Sequence, residues 1–188
     1  MRIGVLALQG GVEEHLEILD GLDGIVIPGG ESTVIDKLAR TFDLAGPLAA
    51  AIGGGLPTPA PCAGLIHCAR DLDNPAPGQQ TLGVLDVTVR RNAFGSQRHS
   101  AEQPVPVGED LTVDASFIRA PIVTRVGEGV EVLSRVPGPD GEPVVVGVRA
   151  GAVTALSFHP EENGDDRVHA AWLRAAALVE KFSNHVFA

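Results

Sequence analysis

Cysteine is scarce in this 188-residue chain, which has only Cys62 and Cys68. Two are too few for a disulfide scaffold, and neither has Cys or His partners at zinc-site spacing, so any chemical role is that of a thiol. Positive charge is also short. The 14 Lys and Arg face 24 Asp and Glu, and a net charge of −10 gives no electrostatic drive toward nucleic acid or an anionic membrane. Long apolar runs are missing: the first, residues 3–8, is interrupted by Gln9 and followed by Glu13 and Glu14. No stretch approaches the roughly 18 apolar residues of a bilayer span. There is no internal repeat or linker, and 23 glycines with 14 prolines stay below a low-complexity composition. The expectation is one soluble, cytoplasmic domain over residues 1–188, long enough for a sizeable core.

What is present reads as alternating strands and helices. Residues 3–8 form a short continuous apolar run of the kind buried on both faces of a sheet, ended by Gly10 and Gly11. Val12, His15, Leu16 and Leu19 then fall at helical spacing before Gly21. Residues 24–28 repeat the buried-strand pattern, and a helix is expected from near Val34 and another over 44–52. Residues 56–61 stand where the next strand belongs, but Pro57, Pro59 and Pro61 resist one. After Cys62, the apolar residues Leu65, Ile66, Ala69 and Leu72 predict a helix that ends before a loop at 74–80. Strands are expected at 82–90, 112–118, 130–135, 144–149 and 153–158, with a final helix from 165 or 166 that carries Val168, Ala171, Trp172, Ala175, Val179 and Phe182 on one face. The pattern predicts an α/β domain with a mostly parallel core and added antiparallel strands.

Chemistry centres on Cys62, because a thiol between an extended segment and a helix meets backbone N–H groups and the positive end of the helix dipole. An ordinary thiol titrates at roughly 8.5, so a base is also needed near neutral pH. His159-Pro160-Glu161 follows an apolar run, and alternation lets one short segment supply a base and a carboxylate to orient it. Plainer readings stand beside these. A cysteine near the start of a buried helix is ordinarily a small core residue, which suits Cys68 better than Cys62. His15, His67, His99, His169 and His185 have no metal-ligand spacing and default to solvated or locally hydrogen-bonded side chains. Gly29-Gly30-Glu31-Ser32 reads equally well as a turn with an N-cap, and Arg90, Arg91 and Arg119 as surface charges.

Taken in order, Gln9-Gly10, Pro28-Gly-Gly-Glu-Ser-Thr33, Cys62-Ala-Gly-Leu-Ile66, Arg91-Asn-Ala-Phe-Gly-Ser-Gln97, Phe117-Ile-Arg-Ala-Pro121 and Ser157-Phe-His-Pro-Glu161 form a recognisable series. The chain resembles the glutaminase subunits of pyridoxal 5′-phosphate synthase, a branch of the class I glutamine amidotransferases, from its first strand to its final helix. Several amidotransferases share the Cys-Ala-Gly and His-Pro-Glu elements; the blocks at Arg91 and Phe117 belong more narrowly to this branch. The resemblance implies a flavodoxin-like three-layer α/β fold and L-glutamine as substrate. It implies Cys62 as nucleophile, His159 as general base and then acid, Glu161 as the carboxylate behind it, and N–H groups near Gly30 and Ala63 as the oxyanion hole. Gly30, Glu31, Ser32, Arg91, Ile118 and Arg119 match the positions that bind glutamine. The implied partner is a separate synthase subunit that receives the ammonia; no cofactor and no metal are implied.

Two departures qualify this pattern. Relatives carry a further strand and helix before the 24–28 strand; in a 2-1-3-4-5 strand order that strand is an edge, and its loss leaves a direct crossover from the first strand to its other neighbour. At the nucleophile, Ala60-Pro61-Cys62-Ala63-Gly64 stands where relatives have Gly-x-Cys-x-Gly. The prolines at 57, 59 and 61 share one parity, so their strand is expected to lack donors on one side and to impair the geometry at Cys62. The alternative functions are a catalytically weak or inactive binding subunit of the same complex, and a glutaminase subunit serving another synthase.

Overall fold

A computed structural model describes residues 1–6, 22–95, 102–117, 119–160 and 167–174. In chain order the first half contains β1 (Ile3–Val5), β2 (Gly24–Val26), α1 (Ser32–Thr41), α2 (Ala45–Gly53), β3 (Thr58–Pro61), α3 (Ala63–Cys68), β4 (Ala69–Leu72) and β5 (Leu85–Arg90). The described elements of the second half are β6 (Glu102–Val107), β7 (Leu111–Ser116), β8 (Ile122–Val126), β9 (Glu131–Pro137), β10 (Pro143–Ala150) and β11 (Val153–Leu156), followed by helical residues 167–174.

Four strands run parallel and carry the functional end. β1 pairs with β2 from Ile3↔Gly24 to Val5↔Val26, and β3 pairs with β11 from Thr58↔Val153 to Pro61↔Leu156. Between the two pairs, the Ile25 and Ile27 amides donate to the Pro57 and Pro59 carbonyls at 2.9 and 3.0 Å. Nothing returns from the prolines, which have no N–H, so the β-ladder lapses between β2 and β3 although the strands lie side by side. The expected shortage of donors on one side of β3 is thus present, and the strand still forms. Its other side is intact: Thr58 donates to Ala152 at 2.9 Å and Cys62 to Leu156 at 2.7 Å. Among the described residues the order β1, β2, β3, β11 is the flavodoxin-like sequence without its outer strand, with β1 and β2 as direct neighbours.

The sheet continues from β11 through β10, β8 and β5 to β4, with β9 on β10. On one face α2 and α3 contribute Ile52, Leu65, Ile66 and Cys68 to a core with Ile27, Ala60, Val87 and Ala155. On the other, the β6–β7 hairpin brings Val105 and Val113 against Val146, Phe117 and Phe158, and Val168 of the 167–174 helix packs there. These are the three layers of an α/β domain. Among the described residues no helix is long and apolar enough to cross a membrane.

The helix expected through Leu72 stops at Cys68. The chain turns at Ala69 because β4 gains a parallel partner, with Ala69 opposite Leu85, and Arg70 and Asp71 meet Asp86 and Arg125 across the strands at 2.9 and 3.9 Å. Two strands are additional to the sequence reading. Pro104 and Pro106 mask β6, and in β8 only Ile122, Val123 and Val126 are apolar, the rest being held by antiparallel pairing to β5 and an Arg125–Asp86 bond of 2.6 Å. The expected helix over residues 12–20, and Ala175, Val179 and Phe182 of the last one, lie outside the described residues.

Candidate active site

Cys62 stands at a sharp elbow between β3 and α3, with φ 47° and ψ −102°. An L-residue in such a conformation costs about 1–3 kcal/mol and persists only where its surroundings hold it. Three contacts do so here. The Cys62 amide is tied to the Leu156 carbonyl, and its own carbonyl accepts from the Ile66 amide at 3.3 Å. Gly64 closes the inside of the turn: a Cβ there would stand 2.3 Å from the Ile27 carbonyl oxygen and 3.1 Å from the Cβ of Ala60. The Ala60 methyl, buried at 1 % exposure, is therefore accommodated because residue 64 is glycine.

The C-terminal ends of the adjacent parallel strands β2, β3 and β11 gather the other residues, the position at which open α/β sheets bind ligands. His159 leaves β11 and its ring lies against Gly29, where a Cβ would come within 2.0 Å of Cε1 and 2.7 Å of Nε2. Gly30 follows at φ +128°, a conformation suited to glycine, with open space where a side chain would be. Glu31 is the N-cap of α1: its carboxylate accepts from the Thr33 amide at 3.4 Å and the Thr33 hydroxyl at 3.1 Å. The turn-and-cap reading of the Gly-Gly-Glu-Ser segment is thus met, and the same segment carries the Gly29 against which the His159 ring lies. Ser32 is buried, with its Oγ accepting from Gln79 at 3.0 Å.

Arg91 comes in from the end of β5. It is 13 % exposed and its guanidinium meets the Glu31 carboxylate at 3.5 Å, whereas Arg90 is 56 % exposed and faces Asp73. The two neighbours point apart, as strand alternation predicts. Nε of Arg91 is buried and makes no hydrogen bond. Arg119 is exposed at φ 49°; the next residue, Ala120, accepts the Ala93 and Phe94 amides at 2.9 and 3.3 Å, so the loops carrying Arg91 and Arg119 are joined. An aromatic line fixes them further: Phe94 and Phe117 have ring centroids 4.6 Å apart, and Phe117 and Phe158 5.5 Å. Phe158 directly precedes His159. Sequence reasoning gave no role to Gly29 or to these three rings; the Gly-Gly pair and the phenylalanines flanking the named residues were the available signals. Glu161 and Ile118 lie outside the described residues.

The second cysteine behaves differently. Cys68 is fully buried in α3, and burial pushes its thiol up to about 12. His67 departs from the default expected of it: it is 2 % exposed, neither ring nitrogen has a hydrogen bond, and burial pushes it down to about 4 against a small opposing pull from Asp36. Among the described residues no group of His, Cys, Asp and Glu is arranged to hold a metal ion. A cavity of about 820 Å³ is lined by Pro61, Leu133, Arg149, Leu156, Pro160 and Trp172, so it adjoins the backbone next to Cys62 and His159, but neither of those residues lines it.

Residues 16–178 match the SNO glutamine amidotransferase family. The pyridoxal 5′-phosphate synthase subunit PdxT of Corynebacterium glutamicum (strain R) is 60 % identical over 193 residues, covering 92 % of this chain and 94 % of that protein. The subunit of the same name from Cutibacterium acnes is 55 % identical, covering 92 % and 95 %. A crystal structure of a glutamine amidotransferase superposes with a TM-score of 0.79 at 40 % identity, covering 94 % of this chain and all of that one. With the elbow at Cys62 and the turn around Gly30 set on this architecture, the chain belongs to the SNO glutamine amidotransferase family.

Proposed function

We propose that this protein is the glutaminase subunit of a pyridoxal 5′-phosphate synthase, hydrolysing L-glutamine to L-glutamate and ammonia and delivering the ammonia to a separate synthase subunit. The observation that carries the reading is Cys62 at a positive-φ elbow at the end of β3, beside the strand that delivers His159 to Gly29. In this mechanism the Cys62 sulfur attacks the side-chain amide carbon while His159 takes the thiol proton. The oxygen of the tetrahedral intermediate is held by the N–H groups of Gly30 and Ala63. His159 then protonates the departing nitrogen, ammonia leaves, and a glutamyl thioester remains on Cys62. Water attacks the thioester as His159 accepts its proton, and glutamate is released when the proton returns to the Cys62 sulfur. Glu161 holds the imidazole and balances its charge.

Glutamine is bound by Gly30, Glu31, Ser32, Arg91, Ile118 and Arg119. A cationic and backbone-rich rim suits a substrate whose α-carboxylate must be held while only the distal amide reacts. The whole chain acts as one amidotransferase domain, and its two free thiols suit the reducing cytoplasm. The test is ammonia release from glutamine by the subunit with and without the cognate synthase subunit. Release that requires Cys62 and rises with the partner is the expected result; no release from the complex would reject the glutaminase reading.

A further inference from the structure

The loop between β4 and β5 is bonded to α1 on three successive turns. Gln79 Nε2 donates to Ser32 Oγ at 3.0 Å, the Gln80 amide donates to Asp36 Oδ2 at 3.0 Å, and Arg40, which grips Asp36 at 2.7 and 2.8 Å, donates to the Gly78 carbonyl at 3.3 Å. Ser32 and Asp36 are 3 % and 2 % exposed, so two polar side chains of α1 are buried to receive this loop. Burying a hydroxyl and a carboxylate is favourable only where donors meet them; the loop supplies the donor to Ser32 and, beside Arg40 of α1, one donor to Asp36.

Gln79 is the best anchored residue of the loop. Its Oε1 accepts the Ala76 amide at 3.1 Å and its own amide donates to the Ala76 carbonyl at 3.0 Å, which fixes the side chain before Nε2 reaches Ser32. Ser32 in turn is covalently next to Glu31, the residue that caps α1 and meets Arg91, and two residues from Gly30. A serine hydroxyl that accepts from Gln79 keeps its single proton to donate elsewhere. The link therefore holds the Ser32 hydroxyl oxygen, and with it the Gly30–Glu31–Ser32 turn, in place.

We propose that Gln79 is a positioning residue for glutamine binding, acting through Ser32. The proposal rests on the glutaminase reading above. Gln79 touches no reacting atom; it holds the turn that forms one wall of the substrate site, from behind.

The test is glutamine turnover by the complete synthase complex carrying Gln79→Met, which keeps length and removes both polar atoms, or Gln79→Glu, which keeps the acceptor for Ala76 and lacks the amide donor. Each is made in the wild-type and the Ser32→Ala background. Loss of one neutral hydrogen bond predicts a rise in KM of about 3- to 10-fold with kcat changed less than about twofold. In the Ser32→Ala background the same substitutions add less than about twofold, because the bond they remove is already absent. A purely structural role would lower the active fraction, hence kcat, and leave KM alone. If the wild-type complex turns over and the Gln79 variants leave KM unchanged, or raise it equally in the Ser32→Ala background, the positioning role is wrong while the glutaminase reading stands. If the wild-type complex releases no ammonia, the glutaminase reading falls, and this role falls with it.

Discussion

The imidazole of His159 lies against the α-carbon of Gly29, so closely that a methyl group on that carbon would overlap Cε1 at 2.0 Å. Gly29 is held for space, since its backbone is outside the positive-φ region that favours glycine. Gly29→Ala is therefore expected to fold normally and to push the base off its line. A shift of about 1 Å costs on the order of 100-fold in turnover. Steady-state kinetics in the complex should find kcat lowered on that scale with a smaller change in KM; unchanged kcat would show that His159 does not act from this position.

The two cysteines should separate cleanly by reactivity. Cys62 is partly exposed at the elbow, whereas Cys68 has no exposed surface and a thiol pushed up to about 12. A glutamine-analogue electrophile is expected to modify Cys62 alone, read by peptide mass spectrometry, and Cys62→Ala should abolish ammonia release. Equal labelling of both would remove Cys62 from its assigned role.

Arg90 and Arg91 form a matched pair of opposite surroundings. Arg91→Ala removes a largely buried guanidinium that faces Glu31, and KM for glutamine is expected to rise about tenfold or more, in line with loss of a charged hydrogen bond of about 1.5–3 kcal/mol. Arg90→Ala removes an exposed partner of Asp73 and should leave KM within about twofold. The same effect from both would point to general charge instead of a specific pocket.

The lapse in the sheet at β3 is open to repair. With the Ile25 amide on the Pro57 carbonyl and the Ile27 amide on the Pro59 carbonyl, an N–H at residue 59 would point at the Ile25 carbonyl. Pro59→Val supplies it. The new bond contributes about 0.5–1.5 kcal/mol, and freeing the unfolded chain from one proline offsets about 0.4–1 kcal/mol. A net gain of up to about 1 kcal/mol is expected by urea denaturation; a loss would show that the prolines are the better solution at this position.

Acid should weaken the protein through His67. Its folded value, about 4, lies below the ordinary 6.5 because burial disfavours the cation. Between those values the unfolded chain binds a proton that the folded chain does not, so stability is full above about pH 6.5, falls as the pH drops toward 4, and loses no more from this group below that. The total is on the order of 3 kcal/mol. Asp36, held below the usual carboxylate range because the bonds from Arg40 and Gln80 outweigh the upward push of burial, adds its own loss only at lower pH. His67→Leu should flatten the profile between pH 6.5 and 4; an unchanged slope would assign the acid sensitivity elsewhere.

The order of strands and helices around Cys62 was legible because each element there carries a local signal. Buried parallel strands read as short apolar runs, α1 repeats its buried residues at 32, 35, 36 and 39, and glycines mark the turns. The parity of Pro57, Pro59 and Pro61 likewise determined that one side of β3 would lack donors, since a missing N–H is a property of the residue itself. Whether the strand would form regardless was decided by β11, whose unbroken ladder on the other side of β3 no local pattern announces. Tertiary structure also ended α3 at Cys68, because Ala69 and Leu72 satisfy either periodicity and only the presence of β5 selects the strand. It packed His159 on Gly29, set Gln79 behind Ser32 and buried His67 without a partner, joining residues that are 130 and 47 positions apart in the first two cases. Periodicity and turn chemistry act over a few residues, whereas the close approach of distant side chains depends on how the layers pack.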